Sequence, residues 1–261
     1  MTRRIALLAV VCVGTALASS PGDDHWQEGL RQFAAEDFRR AQDAFQEAVE
    51  EDPRSSKYTL WLALAMGRRA EKMSGFRKLT SAPPLVKRMR RELERAIELD
   101  ESNIDAYDAL QVFHLQAPSI VGGRKDRARE IAGQIQKLDS ARGAGALAAY
   151  YEDVGEVERA GEQYALARQL DPDEIRHILS HAAFLSRRGA FTESDELFEL
   201  TFARDPDNPK VWRAAATAWV LAKRESLYSR ARQLIERYLE TPDREPNPDP
   251  KSEVRELLKK L

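Results

Sequence analysis

Apolar residues recur at intervals of three and four along most of the chain beyond its first twenty positions, and no run alternates apolar with polar residues between turn signals. That period belongs to helices that bury one face. The stretches GEVERAGEQYALARQLDP and GAFTESDELFELTFARDP, which begin at Gly155 and Gly189, show the unit in full. A glycine opens a turn and an aromatic sits in mid-helix. An Asp-Pro pair then ends the run, because proline donates no backbone hydrogen bond and restricts the residue before it. Gly155 and Gly189, Tyr164 and Phe198, and Pro172 and Pro206 are each separated by 34 residues. The pattern predicts an all-α chain built from repeated helix pairs.

The same grammar appears upstream in WQEGLRQFAAEDFRRAQDAFQEAVEEDP, where Gly29, Phe38, Ala41, Phe45, Ala48 and Pro53 fall at matching offsets. Degenerate copies follow in LERAIELDESN, REIAGQIQKLDS and VWRAAATAWVLAK with ARQLIERYLETP. Six pairs are expected, at 24–53, 56–101, 104–140, 141–172, 175–206 and 209–241. The proline-rich segment 246–250 reads as a linker within 242–261, and 252–261 as a short helix whose Leu257, Leu258 and Leu261 cap the sixth pair. Small residues such as Ala41, Ala160 and Ala182 let helices approach, and Phe45, Tyr164 and Phe198 fill the space between them.

With its 34-residue period, the chain resembles the tetratricopeptide repeat superfamily. The resemblance implies an all-α, tetratricopeptide-like α-solenoid of about six helix pairs with a C-terminal capping helix. It also implies a protein or peptide partner held in the concave groove lined by the first helix of each pair. The family's ligand-facing offsets fall on Lys57, Leu60, Leu64 and Arg68, then on Asp105, Asp108 and Val112, on Arg142, Glu152 and Asp153, on Arg176, Leu179 and Arg187, and on Arg213. The asparagines of the family's carboxylate clamp for chaperone tails are not at these positions, so that ligand is not implied.

Two neighbouring units depart from the repeat, with inserts near 68–88 and 117–125 between the two helices of each. Both therefore lie on one edge of the array, and the pairing resembles secreted bacterial tetratricopeptide proteins with insertions in two adjacent repeats. In the second insert, QAPSIVGGRKDRAR, Pro118 ends a helix and Ile120 and Val121 turn back onto packed helices. Gly122 and Gly123 supply backbone freedom before the next helix begins near Asp126. A phosphate loop needs a preceding strand and a terminal Lys-Ser or Lys-Thr, neither of which is present.

Charge sharpens the picture of the inserts. Residues 68–91 hold nine Lys or Arg against one acid, in a chain whose formal charge is −2. Arg77, Lys78, Lys87 and Arg88, joined by Arg124 and Lys125, form either a ridge for an anionic lipid or polysaccharide or a solvated face. Phe76, Leu79 and Leu85 interleave with them. His177 and His181 lie one turn apart and could begin a zinc site, but the glutamate of H-E-x-x-H and a third ligand are missing, so a packed, hydrogen-bonded pair is expected.

No nucleophile motif or catalytic carboxylate pair stands out. A non-catalytic scaffold with neither cofactor nor metal, and with no nucleic-acid partner, is the reading, and a metal-dependent enzyme using His177 and His181 is the alternative. At 43% hydrophobic and 32% charged residues, the chain can bury a sizeable core. Its start, MTRRIALLAVVCVGTALASS, has the basic head, apolar run and A-x-A of a signal peptide over 1–18, cleaved near Ala18. The sole cysteine, Cys12, lies inside that run. A periplasmic or secreted bacterial protein, with no transmembrane segment in the mature chain, is expected.

Overall fold

Helices begin where the sequence supplies an oxygen to the free amides of a first turn. Asp37 accepts from the Arg40 amide at 3.1 Å, Ser55 from Tyr58 at 3.2 Å, Asn103 from Ala106 at 3.1 Å and Asp139 from Arg142 at 2.9 Å. Each satisfies a donor that the helix leaves open. The computed structural model describes residues 20–75, 80–241 and 251–261. The expected signal peptide, the linker 242–250, and Phe76, Arg77, Lys78 and Leu79 of the first insert lie outside those residues.

Thirteen α-helices run through the described residues: α1 (Asp23–Ala34), α2 (Phe38–Glu51), α3 (Ser56–Glu71), α4 (Ala82–Leu99), α5 (Ile104–Gln116), α6 (Lys125–Leu138), α7 (Ser140–Asp153), α8 (Val157–Leu170), α9 (Ile175–Arg187), α10 (Phe191–Arg204), α11 (Pro209–Leu221), α12 (Tyr228–Glu240) and α13 (Lys251–Leu258). Each odd-numbered helix up to α11 packs on the even-numbered one that follows, and the pairs stack in order into an α-solenoid. No strand occurs among the described residues.

Aromatic side chains fill the spaces between pairs. Phe45 and Phe198 have no solvent exposure, and Tyr164 is buried. Alanines 41, 48, 160, 182 and 215 are fully buried where helices meet. Glycine does the same in two places: a Cβ on Gly29 would stand 2.4 Å from the Phe45 ring, and one on Gly143 would stand 2.2 Å from the Gln136 Cα.

The two inserts take different forms. Most of the described part of the first is helical: α3 runs to Glu71 and α4 starts at Ala82, giving helices of 16 and 18 residues where the other pairs use 12 to 14. The second is a 3-10 turn, Ser119–Val121, ended by Gly122 at φ 104. Gly123 packs so closely on the Ala117 carbonyl that a Cβ would come within 1.8 Å of its oxygen. Val121 is buried, as the pattern predicts, but Ile120 is 81% exposed. The expectation that both residues fold inward is thus corrected, because a tight turn directs successive side chains to different sides and only Val121 is buried.

At the far end, α13 covers the sixth pair with Val254 and Leu257, both buried against a cluster that contains Trp212, Ile235 and Tyr238. Each such side chain contributes about 1.5–3 kcal/mol. No described helix is long and apolar enough to cross a membrane.

Two substitutions distinguish packing from helix propensity. Gly133 of α6 has open space around it, so Gly133→Ala is expected to raise stability by about 0.5–1 kcal/mol. Gly143→Ala, also a helical position, is expected to lower it, because α6 and α7 must separate to admit the methyl group. Phe198→Ala should cost about 3–5 kcal/mol. Urea unfolding midpoints of the three variants read all of these.

Candidate functional site

The first helices of successive pairs touch one another from α5 through α7 and α9 to α11. Contacts between second helices are sparser, so the first helices line the inner wall of the curve. Residues at the family's ligand-facing offsets in neighbouring units therefore come within reach of each other. Arg142 on α7 donates to Asp105 and to Asp108 on α5, at 2.5 Å each, and Arg176 on α9 lies 4.0 Å from Asp108. Four of the positions singled out in the sequence thus meet across three units.

Burial pushes the Asp108 carboxyl above its usual range, and the hydrogen bond and charge of Arg142 only partly offset this. A second bridge joins α7 to α9, where Arg187 grips Glu152 through two hydrogen bonds of 2.8 Å. Glu152 also accepts from the Tyr164 hydroxyl at 2.9 Å. Burial, together with the Glu152 carboxylate, pushes the phenol well above its ordinary range.

The remaining groove positions are scattered. Lys57 is exposed and sits 3.6 Å over the Trp26 ring. Leu60 is buried among α4–α7 side chains, and Leu64 and Leu179 are half-buried against the core. Arg213 is partly buried and held by an interaction of its own. Val112, at 47% exposure, is the apolar residue that faces solvent on the α5 wall.

The cations of the first insert are largely engaged by the protein itself. Arg69 donates to Gln42 at 3.0 Å, Arg88 to Gln46 at 2.5 Å and to Glu92 at 3.5 Å, and Arg90 pairs with Glu94 at 3.6 Å. Lys87 is exposed. In the second insert Arg124 donates to Asp126 at 3.2 Å, and Lys125 contacts the Leu115 carbonyl and Asp153.

Arg68 and Lys72 point elsewhere, towards α13. Arg68 pairs with Glu71 at 2.8 Å and with Glu253, while Lys72 donates to Ser252 Oγ at 2.9 Å and lies 3.3 Å from Glu36. The Ser252 amide donates to Glu36 Oε1 at 2.8 Å. Burial alone would raise the Glu36 carboxyl, but the Ser252 hydroxyl and amide and the Lys72 ammonium hold it below the usual range. Beside this junction a cleft of about 640 Å³ opens between Glu36, Phe38, Arg39, Arg69 and Ser81.

No protein-family model matches the chain, and no curated protein does. Solved structures do. TTC0263, a thermophilic tetratricopeptide protein of Thermus thermophilus, superposes with a TM-score of 0.58 at 15% identity, over 76% of this chain and 98% of that one. Yeast Tom70 superposes with a TM-score of 0.53 at 18% identity, over 85% of this chain but 45% of its own length. The fold is that of the tetratricopeptide repeat.

Within this tetratricopeptide solenoid the two central histidines are packing residues, but the expected hydrogen bonding is not seen at His181, whose buried Nδ1 has no partner among the described residues. His177 lies against the Gly145 backbone of the preceding unit, and His181 stacks on Tyr164 with ring centroids 6.3 Å apart. Among the described residues no three His, Cys, Asp or Glu are placed to hold a metal ion. Sequence reasoning missed the junction at Glu36, Ser252 and Glu253. The charge complement between Glu253 and the cationic insert was visible, but nothing in the repeat says which distant unit the last helix meets.

The buried histidines give the tetratricopeptide solenoid an acid sensitivity. Burial, the largest cause at each, lowers the pKa of His114, His177 and His181 below the ordinary 6.5. As pH falls through 6.5 the unfolded chain takes up protons before the folded one does, so stability present above that value is lost progressively below it. The loss reaches at most about 1.4 kcal/mol per pH unit for each histidine. Melting temperatures measured from pH 7 to pH 5 are expected to fall, and His181→Phe should make that fall shallower.

Proposed function

We propose that this chain is an exported, non-catalytic scaffold that binds a protein or peptide segment along its concave wall, in the bacterial periplasm after cleavage near Ala18. The observation that carries the reading is the alignment of Asp105, Asp108, Arg142 and Arg176 across three first helices, with Val112 exposed on α5. Such a wall offers charges of both signs and an apolar contact at fixed spacing, which suits an extended segment that exchanges hydrogen bonds with the wall as it docks. The same groups are paired acids and guanidinium groups, with no nucleophile beside a base, and this favours recognition over reaction.

An anionic lipid or polysaccharide on the basic insert is the weaker reading. Arg69, Arg88 and Arg90 already hold protein acceptors, and an outside anion would have to displace these. Groove docking also exchanges internal pairs, but there the exposed Val112 adds an apolar contact that needs no displacement.

The test is photocrosslinking of the full chain in its native envelope, repeated with Val112→Asp combined with Arg176→Glu. Both positions are exposed, so melting should be unchanged within about 0.5 kcal/mol. Crosslinked partner should fall at least roughly ten-fold at every salt concentration, a loss of about 1.4 kcal/mol. Lys87→Gln with Arg91→Gln should change capture only at low salt. Undiminished capture by the groove variant would show that the concave wall is not the binding face.

A further inference from the structure

In the four units without an insert, the short turn between the paired helices places its second residue in the left-handed region. Gly155 and Gly189 hold it at φ 81 and 79, but Glu36 takes the same place in the first unit at φ 59 and Lys223 in the sixth at φ 55. A side chain there is strained where glycine is not. At Glu36 the strained residue does something glycine could not. Its carboxylate accepts the Ser252 amide at 2.8 Å, on the first turn of α13, where a negative charge is favoured.

Arg68 and Lys72 complete the clasp on Glu253 and Ser252. Residues 180 and more positions apart are thereby joined, and the last helix bridges the sixth pair to the first two. Arg68 is also one of the ligand-facing positions of the second unit. The bridge is slight, because α13 has eight residues, buries Val254 and Leu257, and leaves Glu253 mostly in solvent. A helix this short is marginal without its docking surface.

We propose that α13 is a displaceable latch, occupying in cis a surface made by Glu36, Arg68, Lys72 and the sixth pair that accepts the acid-headed amphipathic helix of a partner protein. The chemistry of that helix is the chemistry of α13: a Ser-Glu pair in the first turn for the carboxylate and two cations, then apolar residues one and four positions further on. Ten residues, 241–250, separate α12 from the described start of α13. A separation of ten residues along the chain gives an effective concentration on the order of millimolar. A competing helix of equal contacts therefore binds the latched chain weakly and the unlatched chain well. This goes beyond groove binding and does not depend on it, since the probe is the chain's own helix.

The experiment uses the full chain and a fluorescent peptide, KSEVRELLKKL, which is residues 251–261. Glu253→Lys with Leu257→Asp detaches α13 without touching its docking surface. The peptide should bind this variant at least ten-fold more tightly than it binds the wild type, and adding Arg68→Glu should abolish the gain. Independently, Glu36→Gly relieves the strained turn and takes the Glu36 carboxylate out of the clasp. It should speed amide exchange in α13 at least ten-fold while α1 and α2 exchange as before. The second arm decides the matter should the detached variant fail to fold. Equal peptide binding by wild type and detached variant, or α13 exchange untouched by Glu36→Gly, overturns the latch and leaves the groove reading standing.

Discussion

No helix pair in this chain can cover its own apolar face, and the rest of the structure follows from that. Phe33 and Phe45 of the first pair are closed over by Trp61 of α3, at 5.5 and 5.8 Å between ring centroids. Tyr164 of α8 is closed by Phe184 of α9 at 5.0 Å, and Phe198 of α10 by Trp219 of α11 at 6.0 Å. The aromatic of each of these units is thus finished by the first helix of the next. Burial of this kind propagates along the array and leaves its final pair incomplete, which is why a thirteenth helix is needed over Ile235 and Tyr238.

The same packing rule sets the character of the inner wall. First helices drawn against the neighbouring unit bring their side chains into range of each other, and the residues at that spacing are charged. Arg142 between two aspartates and Arg187 on Glu152 are the result. Pairs that face solvent contribute little to stability, about 0–1 kcal/mol each. On the proposed groove reading their larger effect is on selectivity, because a segment docking there must offer at least as good a set of acceptors and donors as the wall has already found for itself. A wall of satisfied charges rejects apolar chains and rewards complementary ones.

The 34-residue spacing made the architecture readable, because each helix repeats the same burial problem and the aromatic, alanine and Asp-Pro positions are its direct solution. Asp105, Asp108, Arg142 and Arg176 were readable as sharing one wall for the same reason. What the repeat could not supply is whatever breaks the period. The cationic run reads as a projecting insert, yet Arg68–Glu71 and Ala82–Arg91 extend two helices, and Arg69 and Arg88 reach back to Gln42 and Gln46 of the preceding pair. Their acceptors lie 27 and 42 residues away, a separation that no local pattern encodes. Ile120 was misplaced because a tight turn, unlike a helix, has no apolar period to say which side chain faces inward.

Glu36 is where local preference and long-range contact disagree most. The left-handed turn asks for glycine, and the fourth and fifth units supply it. Strain alone does not mark a functional residue, since Lys223 carries the same conformation in the sixth unit. What distinguishes Glu36 is its partner: it is the acceptor through which the last helix reaches the first turn of the array. In an open solenoid each unit feels only its neighbours, so fraying can start at either end. A contact from α13 to the first two pairs joins the two ends, so the last helix is held by more than its own neighbour. The strain of the Glu36 turn, about 1–2 kcal/mol, sits at the place where the contact between the two ends can be undone.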